Sequence, residues 1–385
     1  MEQILFSADL KMLQNNVRSF VKDFVLPVER NNRDYASGFS PETLGRLQNK
    51  AKEMGLWAFG AKKEWGGAEL SLFEQVVLFE EAVSHNLGFY STCLGALGPE
   101  YPKFLDHCTH EQKEIYIKPT IEAGKDIFVA VFEELESNNL HGIECQAERN
   151  DSCWVLNGSK SYVANVENAK IGVVLVNCGQ NSEEKLPTLF IVERESLQAI
   201  RETRLMNVRS VYQVEFNNLK VDDSQRIGDI GAGIKIISSW IAQKQIILAA
   251  KSIGIAKRAL EMTQNYVSLR TTRGKPLAEF PSIQAMIAQS VAELKSVRFL
   301  VWDAAFHFDR NDELMSQSAR ISKLMATEAA FNIVDRCLQC HGGAGFSGDL
   351  PFERWYKELR IARSDFENKN ALQEKIASYA LKNRV

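Results

Sequence analysis

The sequence predicts an α+β chain built as a helical, a β and a second helical segment, and two changes of hydrophobic period predict it. Helical spacing opens the chain, short alternating runs replace it after Gly124, and helical spacing returns from Gly233 onward. No internal repeat or low-complexity linker separates the parts. The expected domains are residues 1–125, all-helical; 126–230, a small β domain; and 231–385, a helical bundle.

Each element has its own signal. Leu10, Leu13, Val17, Phe20, Val21, Phe24 and Val25 recur at steps of three and four, which predicts an amphipathic helix stopped by Pro27. Helices are expected over Glu42 to Met54 and Leu72 to Ser84, on either side of a glycine-rich turn at Glu64-Trp65-Gly66-Gly67, and again over His110 to Ala123. In the middle segment, Phe128, Cys153 to Leu156, Ile171 to Val176, Leu189 to Val192 and Tyr212 to Phe216 read as strands between polar turns. Tyr212, Val214 and Phe216 alternate with Gln213 and Glu215, as a strand with one buried face should. In the last segment, Ile283, Met286, Ile287, Val291, Leu294, Val297, Leu300, Val301 and Ala304 form an apolar stripe along one long helix.

Composition excludes several function classes. A chain of 385 residues, 45% hydrophobic, is long enough to bury a large core. Its net charge of -3 gives no long-range attraction to nucleic acid or anionic lipid, so neither is an expected partner. The most apolar stretch, Ile234 to Ile255, is broken by Lys235, Gln243, Lys244, Gln245 and Lys251, so no membrane span is expected. Met1-Glu2-Gln3-Ile4 does not look like a secretory signal, and a cytoplasmic location is expected. The seven cysteines, odd in number and scattered, read as reduced thiols, and no metal site is expected. Cys337-Leu338-Gln339-Cys340-His341 fits the c-type haem attachment pattern, but that attachment requires export.

Several motifs agree in order along the chain. They are Met54-Gly55-Leu56, Glu64-Trp65-Gly66-Gly67-Ala68, Phe79-Glu80-Glu81-Ala82, Leu156-Asn157-Gly158-Ser159-Lys160, Arg270-Thr271-Thr272-Arg273-Gly274-Lys275-Pro276-Leu277 with Gln284, and Gln339-Cys340-His341-Gly342-Gly343. Together they resemble the acyl-CoA dehydrogenases over essentially the whole chain. The resemblance implies an N-terminal helical domain, a central small β-barrel and a C-terminal four-helix bundle. It implies FAD as cofactor, an acyl thioester on coenzyme A or an acyl carrier protein as substrate, and a homodimer or homotetramer.

By the same resemblance, Arg270, Arg273, Gln284, Gln339, Gly342 and Gly343 hold the FAD diphosphate and adenosine, with Arg270 and the Gln339/Gly343 segment meeting across a dimer interface. The chemistry suits that role, because a guanidinium forks onto diphosphate oxygens and glycines let backbone N–H groups approach an anion. Tyr162, Ala164, Asn138 and Asn368 fall at positions around the flavin ring. Singly, Arg270 reads better as a solvated surface arginine and Gly342-Gly343 as a plain turn; their joint spacing and order favour the FAD reading.

The departures concentrate around the reacting atoms. The family abstracts an α-proton with a glutamate, and phenylalanine, found there as Phe366, accepts no proton. The alternative family position for that glutamate falls on Lys244, and a neighbouring arginine position falls on Gln245. The motif Thr-Glu-Pro-x-x-Gly-Ser-Asp aligns on Phe132 to Asn139 and retains only Glu133; a threonine whose hydroxyl approaches flavin N5 falls on Ala164, which donates no hydrogen bond.

Glu367, one residue past Phe366, is the candidate catalytic base, set against a solvated glutamate beside Arg363; Asp365 and Lys244 are weaker candidates. The function expected is an FAD-dependent oxidoreductase acting on an acyl thioester, such as a carrier-protein-bound hydroxy- or amino-acyl group in polyketide or nonribosomal peptide extender-unit biosynthesis. A flavin monooxygenase of the same fold and a catalytically degenerate structural subunit are the alternatives.

Overall fold

The computed structural model describes residues 5–31, 39–89, 92–134, 142–151, 153–179, 184–197 and 199–383. Along the chain the helices are α1 (Ala8–Phe20), α2 (Leu26–Asn31), α3 (Pro41–Glu53), α4 (Leu72–Ala82), α5 (His110–Gln112), α6 (Lys118–Glu122), α7 (Gly233–Leu269), α8 (Pro281–Arg310), α9 (Met315–His341), α10 (Phe352–Ala362) and α11 (Lys369–Asn383). Two compact units form: one gathers Met1–Leu56, Leu70–Leu97 and Ala242–Val385, the other Trp57–Glu69 and Gly98–Ile241. Among the described residues no helix is long and apolar enough to cross a membrane.

In the helical unit, Ser7, Ser40 and Ser71 cap α1, α3 and α4, each accepting the N–H three residues on. Glu74 closes a capping box on Ser71, and Asp309 of α8 accepts the Leu72 and Phe73 N–H groups at 2.7 and 2.8 Å. Pro27 does not end the first helical run. A wider turn over Val21–Val25, in which the Leu26 N–H reaches the Val21 carbonyl, accommodates it, and the chain stays helical to Asn31.

The buried acids of α4 pin this unit. Glu80 accepts two bonds from the Arg298 guanidinium of α8, at 2.6 and 3.0 Å, and Glu81 accepts from Arg18 of α1 and Lys257 of α7, both at 2.8 Å. Burial pushes the Glu81 carboxyl up, but Arg18 and Lys257 outweigh it and hold the group below the usual carboxylate range. Helix α7 packs so closely here that a Cβ at Gly254 would lie 2.5 Å from the Glu80 carbonyl oxygen and 2.4 Å from Val83. On the α8 stripe Leu294, Val297, Val301 and Ala304 are buried, but Val291 is 44% exposed and Ile283, Met286, Ile287 and Leu300 are only half-buried.

The second unit is organised by a sheet of β1 (Asp126–Ala130), β2 (Gln146–Asn150), β3 (Cys153–Val163), β4 (Ala169–Asn177), β5 (Pro187–Glu193), β6 (Ala199–Leu205), β7 (Arg209–Asp222) and β8 (Arg226–Ile227). Its order is β6-β7-β3-β2-β4-β5-β8, with β1 lying parallel on β4. Tyr212, Val214 and Phe216 of β7 are buried and Glu215 is exposed, matching the alternation in the sequence. Strands β2 and β6 carry no such signal: Ala147 is the only buried residue of β2, and β6 reads Ala-Ile-Arg-Glu-Thr-Arg-Leu.

Gly254→Val is expected to cost roughly 3 kcal/mol in urea unfolding, the scale of severe overpacking. A cost below about 1 kcal/mol would contradict the close approach of α7 to α4.

Candidate functional site

The residues singled out at the base positions come together in the helical unit. Phe366 and Glu367 follow α10 in a turn where both have left-handed backbones, with φ of 47° and 90°. Residues other than glycine, asparagine and aspartate seldom adopt this region, and they hold it only when surrounding bonds dictate it. Those bonds are present. The ammonium of Lys323, fully buried on α9, donates to the Arg363 carbonyl at 3.0 Å and the Glu367 carbonyl at 2.7 Å. The Gln245 amide of α7 donates to the Phe366 carbonyl at 3.0 Å and to the Glu367 carboxylate at 3.2 Å.

The two side chains of the turn therefore have different neighbours. The Phe366 ring meets the Lys244 ammonium, 5.8 Å from its centroid. The two alternative base positions thus converge in space, and they hold an ammonium and a phenyl ring. Glu367 is 9% exposed, its carboxylate engaged by Gln245 and by Lys375 of α11. Arg363 is not its partner. That guanidinium forks onto Glu328 at 2.7 and 2.9 Å and lies over the Phe331 ring. Asn368 caps α11, its side-chain oxygen accepting the Ala371 N–H at 3.1 Å.

Sequence reasoning missed Lys323 and Lys375. The available signal for Lys323 was a lysine between Ala319 and Ala326, on the buried face of α9. Burial pushes its ammonium down to about 8, against the opposing pull of Asp365 and Glu367.

The diphosphate candidates lie at the ends of α7 and α9. Arg270 and Arg273 flank a short hairpin of β9 (Thr271–Thr272) and β10 (Lys275–Pro276); both are exposed and pair with no carboxylate among the described residues. The hairpin is closed by the Leu277 N–H on the Arg270 carbonyl at 2.8 Å and followed by Gln284, whose amide donates to the Ala278 carbonyl at 3.0 Å. Tyr266, one turn before Arg270, stacks on His341 with centroids 4.3 Å apart, and Gly342 follows directly. A Cβ at Gly342 or Gly343 would meet nothing within 4 Å, and Gln339 beside them is exposed. Gly342, at φ 55° and ψ -136°, has a backbone that other residues avoid.

The haem-like spelling resolves into helix core. Cys337 and Cys340 are buried, burial pushes the Cys337 thiol up to about 12, and His341 lies between Tyr266 and Phe352. Among the described residues, no group of three or more histidine, cysteine, aspartate or glutamate side chains is arranged to hold a metal.

In the sheet unit, Glu133 and Lys160 form a buried pair at 2.5 Å, and Glu133 also accepts the N–H groups of Glu144 and Cys145 at 2.9 and 3.2 Å. The retained glutamate and the hairpin lysine therefore support one another, with the lysine buried and the glutamate partly buried. Tyr162 is 54% exposed with a left-handed backbone, and Ala164 is half-buried. Asn138 lies outside the described residues.

Comparison with known families places these features. Profiles of the acyl-CoA dehydrogenase N-terminal and C-terminal domains match residues 7–124 and 231–364, well over half of the chain. The chain belongs to the acyl-CoA dehydrogenase family. It is 26% identical over 375 residues to (R)-benzylsuccinyl-CoA dehydrogenase of Thauera aromatica, covering 93% of this chain and 91% of that one. It is 27% identical over 382 residues to the mitochondrial short-chain specific acyl-CoA dehydrogenase of Sus scrofa, covering 97% and 90%.

The fold matches butyryl-CoA dehydrogenase from Megasphaera elsdenii with a TM-score of 0.86, at 21% identity and 98% and 99% coverage. It also matches the FAD complex of PigA, with a TM-score of 0.86, 19% identity and 99% coverage of each chain. The prolyl acyl carrier protein oxidase AnaB matches with a TM-score of 0.83, 17% identity and 97% and 99% coverage. This acyl-CoA dehydrogenase family member is a flavin oxidoreductase whose family cofactor is FAD. The candidate donors fit that cofactor: guanidiniums with no carboxylate partner among the described residues, an exposed amide and an open glycine backbone suit a diphosphate.

Because Lys323 has a depressed pKa, its burial costs stability below about 8, and that cost is relieved as pH rises toward the unfolded value near 10.4. Urea unfolding is expected to show wild type gaining on the order of 2 kcal/mol relative to Lys323→Met between pH 7.5 and 10. Parallel pH profiles for the two proteins would contradict the assignment.

Proposed function

We propose that the chain is an FAD-dependent oxidoreductase acting on a hydroxy- or amino-substituted acyl group presented as a thioester by an acyl carrier protein. The observation carrying this reading is the Lys244–Phe366 pair. Both positions from which relatives draw the α-proton base are occupied by groups that form a cation–π contact. Oxidation at a carbon bearing oxygen or nitrogen does not require that base. The fold match to AnaB, a prolyl acyl carrier protein oxidase, agrees with a carrier-bound substrate.

A bound FAD would supply the hydride acceptor for oxidation at the substrate carbon, and the proton released from the substrate O–H or N–H would pass to solvent. The protein's part is binding and orientation. Arg270 and Arg273 would hold the diphosphate together with Gln339 and the open backbone at Gly342 and Gly343, while Gln284 secures the Ala278 carbonyl just after the hairpin. Tyr162 offers an exposed ring for stacking, and Asn368 keeps its amide donors while its oxygen caps α11. Glu367 adjoins the former base position, yet as a base it would first have to leave Gln245 and Lys375. We therefore assign its carboxylate a structural role. The uncovered face from Ile283 to Val291 supports a homodimer or homotetramer. A cytoplasmic location is part of the same proposal.

The visible spectrum of the purified protein is expected to show a stoichiometric flavin band. Arg270→Ala should weaken FAD retention by about tenfold or more, the scale of charge-assisted hydrogen bonds. Under anaerobic conditions, hydroxyacyl- or aminoacyl-carrier thioesters should bleach the flavin and simple saturated acyl-CoA should not. Bleaching by saturated acyl-CoA alone would overturn the substrate class.

A further inference from the structure

The turn after α10 poses a selection problem. Phe366 and Glu367 are adjacent; the Phe366 ring meets Lys244, and the Glu367 carboxylate is delivered to Gln245 and Lys375. A turn one residue out of step would exchange them, putting a carboxylate at the ammonium and a ring among polar groups. Neither backbone conformation is intrinsically favoured, since φ of 47° and 90° at two successive non-glycine residues costs on the order of 1–3 kcal/mol each. Something outside the turn has to choose.

We infer that Lys323 is a positioning residue of the thioester site: by holding the carbonyls of Arg363 and Glu367 it fixes the turn register that presents Phe366, and not Glu367, to Lys244. The geometry suits the task. The two carbonyls bracket the turn, one at its entry and one at its end, and a single Nζ reaches both at 3.0 and 2.7 Å. Lys323 rises from the middle of α9 with a fully buried side chain, so its anchor is a long helix and not a loop. An amine offers the donors both carbonyls need, and a buried carbonyl left without one would cost about 1–3 kcal/mol. Gln245 completes the choice by taking the intervening Phe366 carbonyl at 3.0 Å, so that both carbonyls of the left-handed pair have side-chain donors.

The consequence is specific. The Lys323 ammonium donates to the backbone carbonyls of Arg363 and Glu367, and through that backbone it acts on the Phe366 ring and its contact with Lys244. Its relevance to catalysis rests on the proposed reading of this turn as part of the thioester site, whereas the clamp itself can be tested without substrate.

The test is an NMR measurement on the full-length, flavin-loaded protein carrying 13C at the lysine ε-carbons. The Lys244 signal, assigned by its loss in Lys244→Arg, should be displaced by the Phe366 ring current and return to an ordinary position in Phe366→Leu. In Lys323→Met it should move to that same ordinary position, while Lys323→Arg keeps the displacement. Hydrogen exchange read in parallel should speed up by about tenfold or more at Ser364, Asp365, Ala371 and Leu372, whose bonds close the turn, and stay unchanged in the α8 core.

An unshifted Lys244 signal in Lys323→Met would overturn the inference. So would a shift accompanied by equally faster exchange throughout α8, which would mean general loosening. If Lys323→Met does not fold, Lys323→Gln takes its place, with a partial shift expected and no shift contradicting. A flavin-free preparation showing the same clamp behaviour would leave Lys323 in its role while removing the proposed function.

Discussion

A buried ammonium that must find oxygen ligands is the constraint around which the C-terminal half of this protein is arranged. Lys323 has no route to water, so its charge is met by backbone carbonyls, and those carbonyls belong to the turn after α10. Satisfying Lys323 fixes that turn in a left-handed form, which sends Phe366 toward Lys244 and Glu367 toward Gln245 and Lys375. Burial cost, backbone strain and side-chain placement are three aspects of one arrangement.

Under the proposed function, that arrangement changes the chemistry carried by the family scaffold. The diphosphate end keeps its donors: Arg270 and Arg273 remain without carboxylate partners among the described residues, and the Gly342-Gly343 backbone is open. In the same proposal the base face carries no carboxylate aimed at substrate. Lys244 meets the Phe366 ring and Gln245 bonds to both Phe366 and Glu367, so we read these positions as one rebuilt surface more than as isolated losses. Elsewhere retention has a structural cause. Glu133 stays because Lys160 and two backbone N–H groups depend on it, and Glu80 and Glu81 stay because α1, α7 and α8 are tied to them.

Much of this was legible in the sequence, for identifiable reasons. Periodicity located α3, α8 and β7 because each buries one face, and motif order identified the family because spacing along a chain is hard to reproduce by chance. Strands β2 and β6 were silent because their residues are mostly polar and exposed, so backbone pairing, not side-chain burial, defines them. Pro27 misled because a single wider turn relieves it. At the candidate site, alignment brought out Lys244, Gln245, Phe366 and Glu367, but not Lys323 or Lys375. Those two act on the turn from α9 and α11, distant in sequence, and no local pattern records a side chain that serves a remote carbonyl or carboxylate.

The central claim is that Glu367 is a structural carboxylate on a rebuilt base face. It is tested most directly by the rate of anaerobic flavin bleaching with a cognate carrier-bound hydroxyacyl or aminoacyl thioester, in wild type and in Glu367→Gln. The account predicts rates within about threefold of each other, well below the factor of roughly a hundred or more that loss of a general base produces. A hundredfold loss in Glu367→Gln, with flavin content and stability preserved, would contradict it.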